Sequence, residues 1–282
     1  MDSAPKSKVE AALAKCDSPD LKAWSLENLE ILEKWLPLKD DPNWKKGDKS
    51  KDKLITCYSM KADGKMSGKG EGLIHTTNTA FMSMIGNLDK RPLYDDQFHS
   101  GEVIEKFEDE ENEVCASLIH IRRKGISLIK SRDMCQATLK FKGGEDGETW
   151  YSVAHSVETP KCPPIKESVR AFSEFLIYEV KPEEGGKSCY ATKIFRLDPK
   201  GSIPDMIKKK VLKKGGLELE AVKKALLGWS HLYNSYYLNH PPIRPPQEEC
   251  VWHSKLLLPE KKMKCYNYDY FIEEIGGAKN RG

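Results

Sequence analysis

The sequence holds eight cysteines, at positions 16, 57, 115, 135, 162, 189, 250 and 265, but no CxxC pair. Thiols this scattered offer neither zinc-ligand spacing nor the dense framework of a disulfide-stapled domain, so reduced thiols and no bound metal are expected. No apolar run approaches about 18 residues, the span a membrane helix needs. The first residues, MDSAPKSK, lack an apolar leader, no N-x-S/T sequon occurs, and the end carries no prenylation box, so a cytoplasmic protein is expected. Catalytic signatures are missing as well. There is no GxSxG, no HExxH and no GxxxxGK[ST]; Gly68-Lys69-Gly70-Glu71-Gly72 has the glycines of a phosphate loop but opens a strand. Nor is there a charge excess of one sign. With 46 basic and 43 acidic residues the net charge is only +3, which excludes a wholesale nucleic-acid signature.

What is present is a globular composition, 39% hydrophobic and 32% charged over 282 residues, enough for a full core. Ser18-Pro19 reads as an N-cap followed by proline at the first helical position. Leu21, Trp24, Leu29, Leu32 and Trp35 then recur at helical spacing, giving a helix over 17–36. Lys39 to Lys53 reads as loop. Leu54 to Met60 and Lys69 to His75 read as a hairpin around Asp63-Gly64, and 77–88 as a short helix. From 102 to 198 six segments alternate with period two, and their short connections imply an antiparallel meander. A helix over 203–238 follows, broken at Gly215-Gly216, and the composition changes from His240 onward. The order is α+β, a curved antiparallel sheet wrapped around a long terminal helix. One domain is expected over 1–239 (sheet 54–198), with an extension at 240–282.

Short motifs sharpen this reading. Asp89-Lys90-Arg91-Pro92-Leu93-Tyr94-Asp95 closes the short helix, Ser131-Arg132-Asp133 opens a strand, and Ser168-Val169-Arg170-Ala171 follows Pro163-Pro164. Asp198-x-x-Gly201-x-Ile203-Pro204 leads into the last helix. In this order and spacing, over roughly Leu54 to Tyr236, they resemble the START family of lipid-transfer domains, most of all its phospholipid-binding members. The resemblance implies a helix-grip fold with an internal lipid tunnel, intermembrane transfer of a glycerophospholipid without covalent chemistry, and no cofactor. Two other outcomes stay open: a lipid-sensing adaptor without net transfer, and a helix-grip cyclase or thioesterase, for which Cys135 and His155 are the one nucleophile–base pairing.

Arg91 and Asp95, four apart on one helix face, either pair with each other or receive a ligand. In phospholipid-binding relatives this arginine meets the lipid phosphate, a role suited to its forked donors. Pro92 inside the motif would end the helix at Arg91. The aromatic cage that holds choline in such relatives falls here near Ile121 and on Met134, and the buried Glu/Arg pair of sterol binders near Leu118 and on Thr138. His120, Tyr151, His155 and Glu174 are the polar candidates for lining the tunnel, although alternation lets each face either way. The stretch Met206, Ile207, Lys209, Lys210, Val211, Leu212, Lys213, Lys214, Gly215 and Gly216 reads as a lid. Its lysines would face an anionic membrane surface, transiently, and its glycine pair would bend. The extension at 240–282 is the candidate docking segment for a protein partner.

Overall fold

The structure is a computed structural model, described over residues 3–125 and 129–239. The chain divides into two compact units between Leu227 and Gly228. Of the second, residues 228–239 are described and are helical, and the extension at 240–282 lies outside the described residues.

Ser18 caps the second helix as its sequence requires. Its Oγ accepts from the Leu21 amide at 3.3 Å, and Pro19 follows where a missing amide costs nothing. That helix, α2 (Pro19–Trp35), packs with α1 (Ser3–Leu13). No helix is expected there from the sequence, since Ser3 to Lys8 shows no apolar periodicity. Val9, Ala12 and Leu13 nonetheless bury completely, so tertiary packing sets that helix rather than its own signals.

The sheet has ten strands among the described residues: β1 (Lys45–Lys49), β2 (Ile55–Ala62), β3 (Lys65–Ile74), β4 (Phe98–Asp109), β5 (Val114–Arg123), β6 (Arg132–Gly143), β7 (Thr149–Ser156), β8 (Val169–Arg170), β9 (Phe172–Glu183) and β10 (Ser188–Asp198). Their spatial order is β1-β2-β3-β10-β9-β7-β6-β5-β4, with β8 beside β6. All pairs are antiparallel except β6–β8. The meander is thus present, closed onto the first hairpin through β10 and β3. β1, read from sequence as loop, is a fully exposed edge strand, so its polar sequence carries no alternation. The helix expected over 77–88 is α3 (Asn78–Ile85), capped by Thr77, and a separate 3₁₀ turn covers Leu88–Leu93. Pro92 sits inside that turn, which runs on to Leu93 rather than stopping at Arg91.

The two faces of the sheet bury different helices. On one, α1 and α2 cover Leu118, Ala137, Leu139, Val153 and Ile177. On the other, α3 and the C-terminal helix α4 (Asp205–Asn239) cover Ile55, Ile74, Trp150, Tyr178 and Ala191. Among the described residues no helix is long and apolar enough to cross a membrane, and no disulfide links their cysteines.

The Ser131, Ser168 and Asp198 motifs, separate in the sequence, converge on one clasp. Asp133 pairs with Arg170 across β6–β8, and Ser131 Oγ lies 2.7 Å from Ser168 Oγ. Arg170 Nε donates to Asp133 Oδ2 at 2.9 Å, and its Nη2 stands 2.7 Å from the same oxygen in an ion pair. Arg132 Nε and Nη2 donate to the carbonyls of Pro199 and Lys200, each at 3.1 Å. These hold the turn ahead of α4, where Gly201 takes φ +68°.

α4 is continuous through Gly215-Gly216, so the expected break is not there. The glycines serve close approach instead. A Cβ on Gly215 would stand 2.3 Å from the Phe195 ring, and one on Gly216 would stand 2.7 Å from the Cys57 Cβ and 2.8 Å from the Lys69 carbonyl oxygen. Gly68 and Gly70 of β3 complete the contact, since a Cβ on Gly70 would meet the Gly216 carbonyl oxygen at 2.1 Å. Helix and sheet touch backbone to backbone at this point.

Candidate functional site

The contact at Gly216 lowers the next turn of α4 onto β9 and β10. Lys193 and Tyr178 are register partners on those strands and face the helix. Glu218 reaches both, accepting from Tyr178 Oη at 2.6 Å and from Lys193 Nζ at 2.8 Å. The Lys193 and Glu218 side chains are 4% and 14% exposed. The Lys193 ammonium also lies over the rings of Tyr178 and Phe195, 5.4 and 5.1 Å from their centroids, a cation–π arrangement.

A second ionic group stands on the same side of the sheet. Arg91 Nε donates to Asp95 Oδ2 at 3.3 Å, and Arg123 Nη2 donates to Asp95 Oδ1 at 2.8 Å. The pair does not arise from a shared helix face. Arg91 lies in the 3₁₀ turn, and the Asp95 amide donates back to the Arg91 carbonyl at 2.9 Å. The Arg91 guanidinium lies 5.9 Å from the Phe98 ring centroid, and Tyr94 is buried beside it.

The two groups share one electrostatic neighbourhood. Burial works against the Arg91 charge, but Tyr94, Glu218, Asp95 and Tyr178 together outweigh it and raise its pKa. Burial likewise opposes ionisation of Glu218, yet Lys193 and Arg91, with the two hydrogen bonds, hold its pKa down at about 2. Lys193 moves the other way from what a single partner would give. Burial depresses its pKa, and the like charges of Arg91 and Arg123 offset part of the Glu218 attraction. The two shifts agree once all the charges are counted: Glu218 sees several cations, whereas Lys193 sees one carboxylate and two other cations.

The remaining candidates from the sequence are not brought to this group. His120 bonds Asp133 Oδ2 at 3.1 Å, on the α2 side of the sheet. Asp133 is fully buried, and Arg170 and His120 lower its pKa against the opposing effect of burial. Tyr151 joins the α2-side core. His155 Nδ1 donates to Asn28 Oδ1 on α2 at 2.9 Å, since Asn28 Nδ2 itself donates to the Ala137 carbonyl. Glu174 bonds Arg196 at 3.1 Å and Lys65 at 2.6 Å. It is the extra residue of a bulge, because Arg196 opposes Phe175 while Leu197 opposes Ser173. Two surface depressions, of about 310 and 440 Å³, lie on this α2 side; His155 and Glu174 line the first and Tyr151 the second.

Of the expected lid, Met206 is 75% exposed and Leu212 is buried, with Ile207 and Val211 between. Lys213 is exposed and ion-paired with Asp48. The side chains of Lys209, Lys210 and Lys214 lie outside the described residues. Lys193, Arg123, Tyr178 and Glu218 were missed from the sequence. The one signal for Lys193 is its place in an otherwise apolar alternation, Cys189, Ala191, Lys193, Phe195.

The model of the START domain matches residues 27–226. START domain-containing protein 10 of mouse and that of human are each 35% identical over 79 residues, 28% of this chain. The matched stretch spans 26% of the length of those relatives. The solved structure of human StAR-related lipid transfer protein 5 is similar with a TM-score of 0.63 at 19% identity, over 72% of this chain and 96% of that one. Human STARD10 is similar with a TM-score of 0.61 at 19% identity, over 77% and 85%. At these identities the structures show a shared fold.

Proposed function

The chain belongs to the START domain family, and from that premise we propose that it binds one lipid between α4 and the sheet and carries it between membranes. A solved structure of the same fold is described as a lipid transfer protein. The observation that carries the reading is the ionic group beneath α4, where Arg91 and Lys193 hold charge that is nearly cut off from water. Buried cations of this kind are costly unless something anionic meets them. A glycerophospholipid satisfies both halves of such a site, its acyl chains on the apolar face and its phosphate on Arg91. Asp95 does not use up Arg91, because it is shared with Arg123.

In this reading the Met206 end of α4 meets an anionic membrane surface transiently, the protein works from the cytoplasm, and no covalent step occurs. Residues 240–282 are left for a protein partner. The test is movement of a fluorescent phospholipid from quenched donor vesicles to acceptors. Dequenching should rise with protein concentration, with no hydrolysis product. Cleavage of a thioester without any phospholipid movement would replace transfer by an enzymatic reading.

A further inference from the structure

The charges beneath α4 do not cancel. Arg91, Arg123 and Lys193 stand against Asp95 and Glu218, leaving one positive charge in excess among the described residues. Every oxygen of the two carboxylates already accepts from the protein, Asp95 Oδ1 from the Gln97 amide as well. Asp95 holds Arg91 on one oxygen and Arg123 on the other, and Glu218 holds Lys193 and Tyr178. The cations are not saturated. Among the described residues, hydrogen bonds engage Arg91 through Nε, one of five guanidinium donors, and Lys193 through one of three ammonium donors. The aromatic faces nearest these cations are already met by them: Tyr178 and Phe195 by Lys193, and Phe98 by Arg91.

A zwitterionic headgroup therefore finds spare donors for its phosphate, whereas its ammonium would have to compete with Arg91, Arg123 and Lys193 for carboxylates and ring faces they already hold. A phosphate without a compensating ammonium finds spare donors and supplies the missing negative charge. Resting on the lipid-binding reading above, we infer that the site selects a phospholipid of net negative charge over phosphatidylcholine, with Arg91 and Lys193 as the two cations that meet its phosphate. Glu218 sets the strength of that selection from α4, since its carboxylate competes with the phosphate for Lys193.

The experiment offers the full chain vesicles of equal parts phosphatidic acid and phosphatidylcholine and weighs the lipid bound to the recovered protein by native mass spectrometry. Wild type should carry phosphatidic acid in about tenfold excess or more, the scale of one charge-assisted hydrogen bond. Lys193→Gln should bring the ratio toward parity, and Glu218→Gln should raise it. The ratio is read only on protein that holds lipid, so partial unfolding of a variant leaves it intact. Opposite shifts separate a ligand role from a structural one, which would not move the ratio in opposite directions. A wild-type ratio at or below parity, or shifts of the same sign in both variants, overturns the inference and leaves lipid binding standing. Release of the lipid by an equal concentration of inorganic phosphate would also overturn it, as a site for a free anion. A protein that takes up neither lipid sinks the lipid-binding reading and this inference with it.

Discussion

Glu218 of α4 and Lys193 of β10 form an ion pair of 2.8 Å with neither side chain more than 14% exposed. Its two halves lie on different elements, so the pair ties the C-terminal helix to the middle of the sheet. A buried pair is dear to break and cheap to replace. Removing one partner strands a charge, whereas exchanging both for apolar groups of similar volume is often neutral.

Lys193→Met should accordingly cost about 3–5 kcal/mol. The double variant Lys193→Met, Glu218→Leu should cost less than Lys193→Met alone. Urea unfolding of the single and double variants gives the coupling directly. Additive losses would mean that the two groups act independently.

The glycine pair makes a prediction of opposite sense to that of a hinge. Gly215→Ala and Gly216→Ala place a methyl group within 2.3 Å of the Phe195 ring and 2.7 Å of the Cys57 Cβ. Overpacking of this kind costs roughly 1–3 kcal/mol. At Gly228, in the same helix, an added Cβ meets nothing within 4 Å, and alanine should stabilise by up to about 1 kcal/mol. Thermal melts of the three variants decide it. A flexible break would give stabilisation at all three sites.

Met206, 75% exposed at the first turn of α4, carries the proposed membrane contact. Met206→Gln should slow lipid transfer to vesicles while leaving the melting temperature unchanged, because the side chain packs little. Substituting Lys209, Lys210 and Lys214 with glutamine should slow transfer on anionic vesicles more than on neutral ones. That difference should shrink as salt shortens the reach of each charge to about 8 Å at physiological ionic strength. Equal rates for wild type and variants on anionic vesicles would remove this segment from membrane contact.

Most of the fold was legible because its signals are local. Ser18-Pro19 and Thr77 are caps, Asp63 and Gly64 take the positive φ of a hairpin turn, and the alternation from 102 to 198 marks strands. The site was legible only in part, because facing is not local. β7 is buried on both faces, with Trp150 on the α4 side and Tyr151 on the α2 side, so its sequence has no polar face to orient it. Tyr151 and His155 then fell to the α2 side by register alone. Lys193 was hidden by the opposite assumption, since a lysine in a strand reads as solvent-facing. Only the close approach of α4 at Gly216 buries it. Glu218, on a helix rich in charge, reads as exposed for the same reason.

His155 supplies a pH dependence whose sign follows from its surroundings. It is 5% exposed, its Nδ1 proton is committed to Asn28, and its Nε2 lies 3.2 Å from Glu27 Oε2 without a hydrogen bond to it. Burial pushes its pKa below the ordinary 6.5, and Glu27 offsets only part of that. The unfolded chain therefore takes up a proton first as pH falls. The contribution of the neutral imidazole is fully present above pH 6.5 and is lost as pH drops from there through the lower folded value. The slope for one group is at most about 1.4 kcal/mol per pH unit. His155→Gln keeps a polar group facing Asn28 but removes the titration. Unfolding free energies measured from about pH 7 to pH 5, a range chosen to bracket the histidine window, should fall more steeply for wild type than for the variant. Parallel curves would mean that His155 takes its proton as readily in the fold as out of it, and the assigned burial of a neutral ring would be wrong.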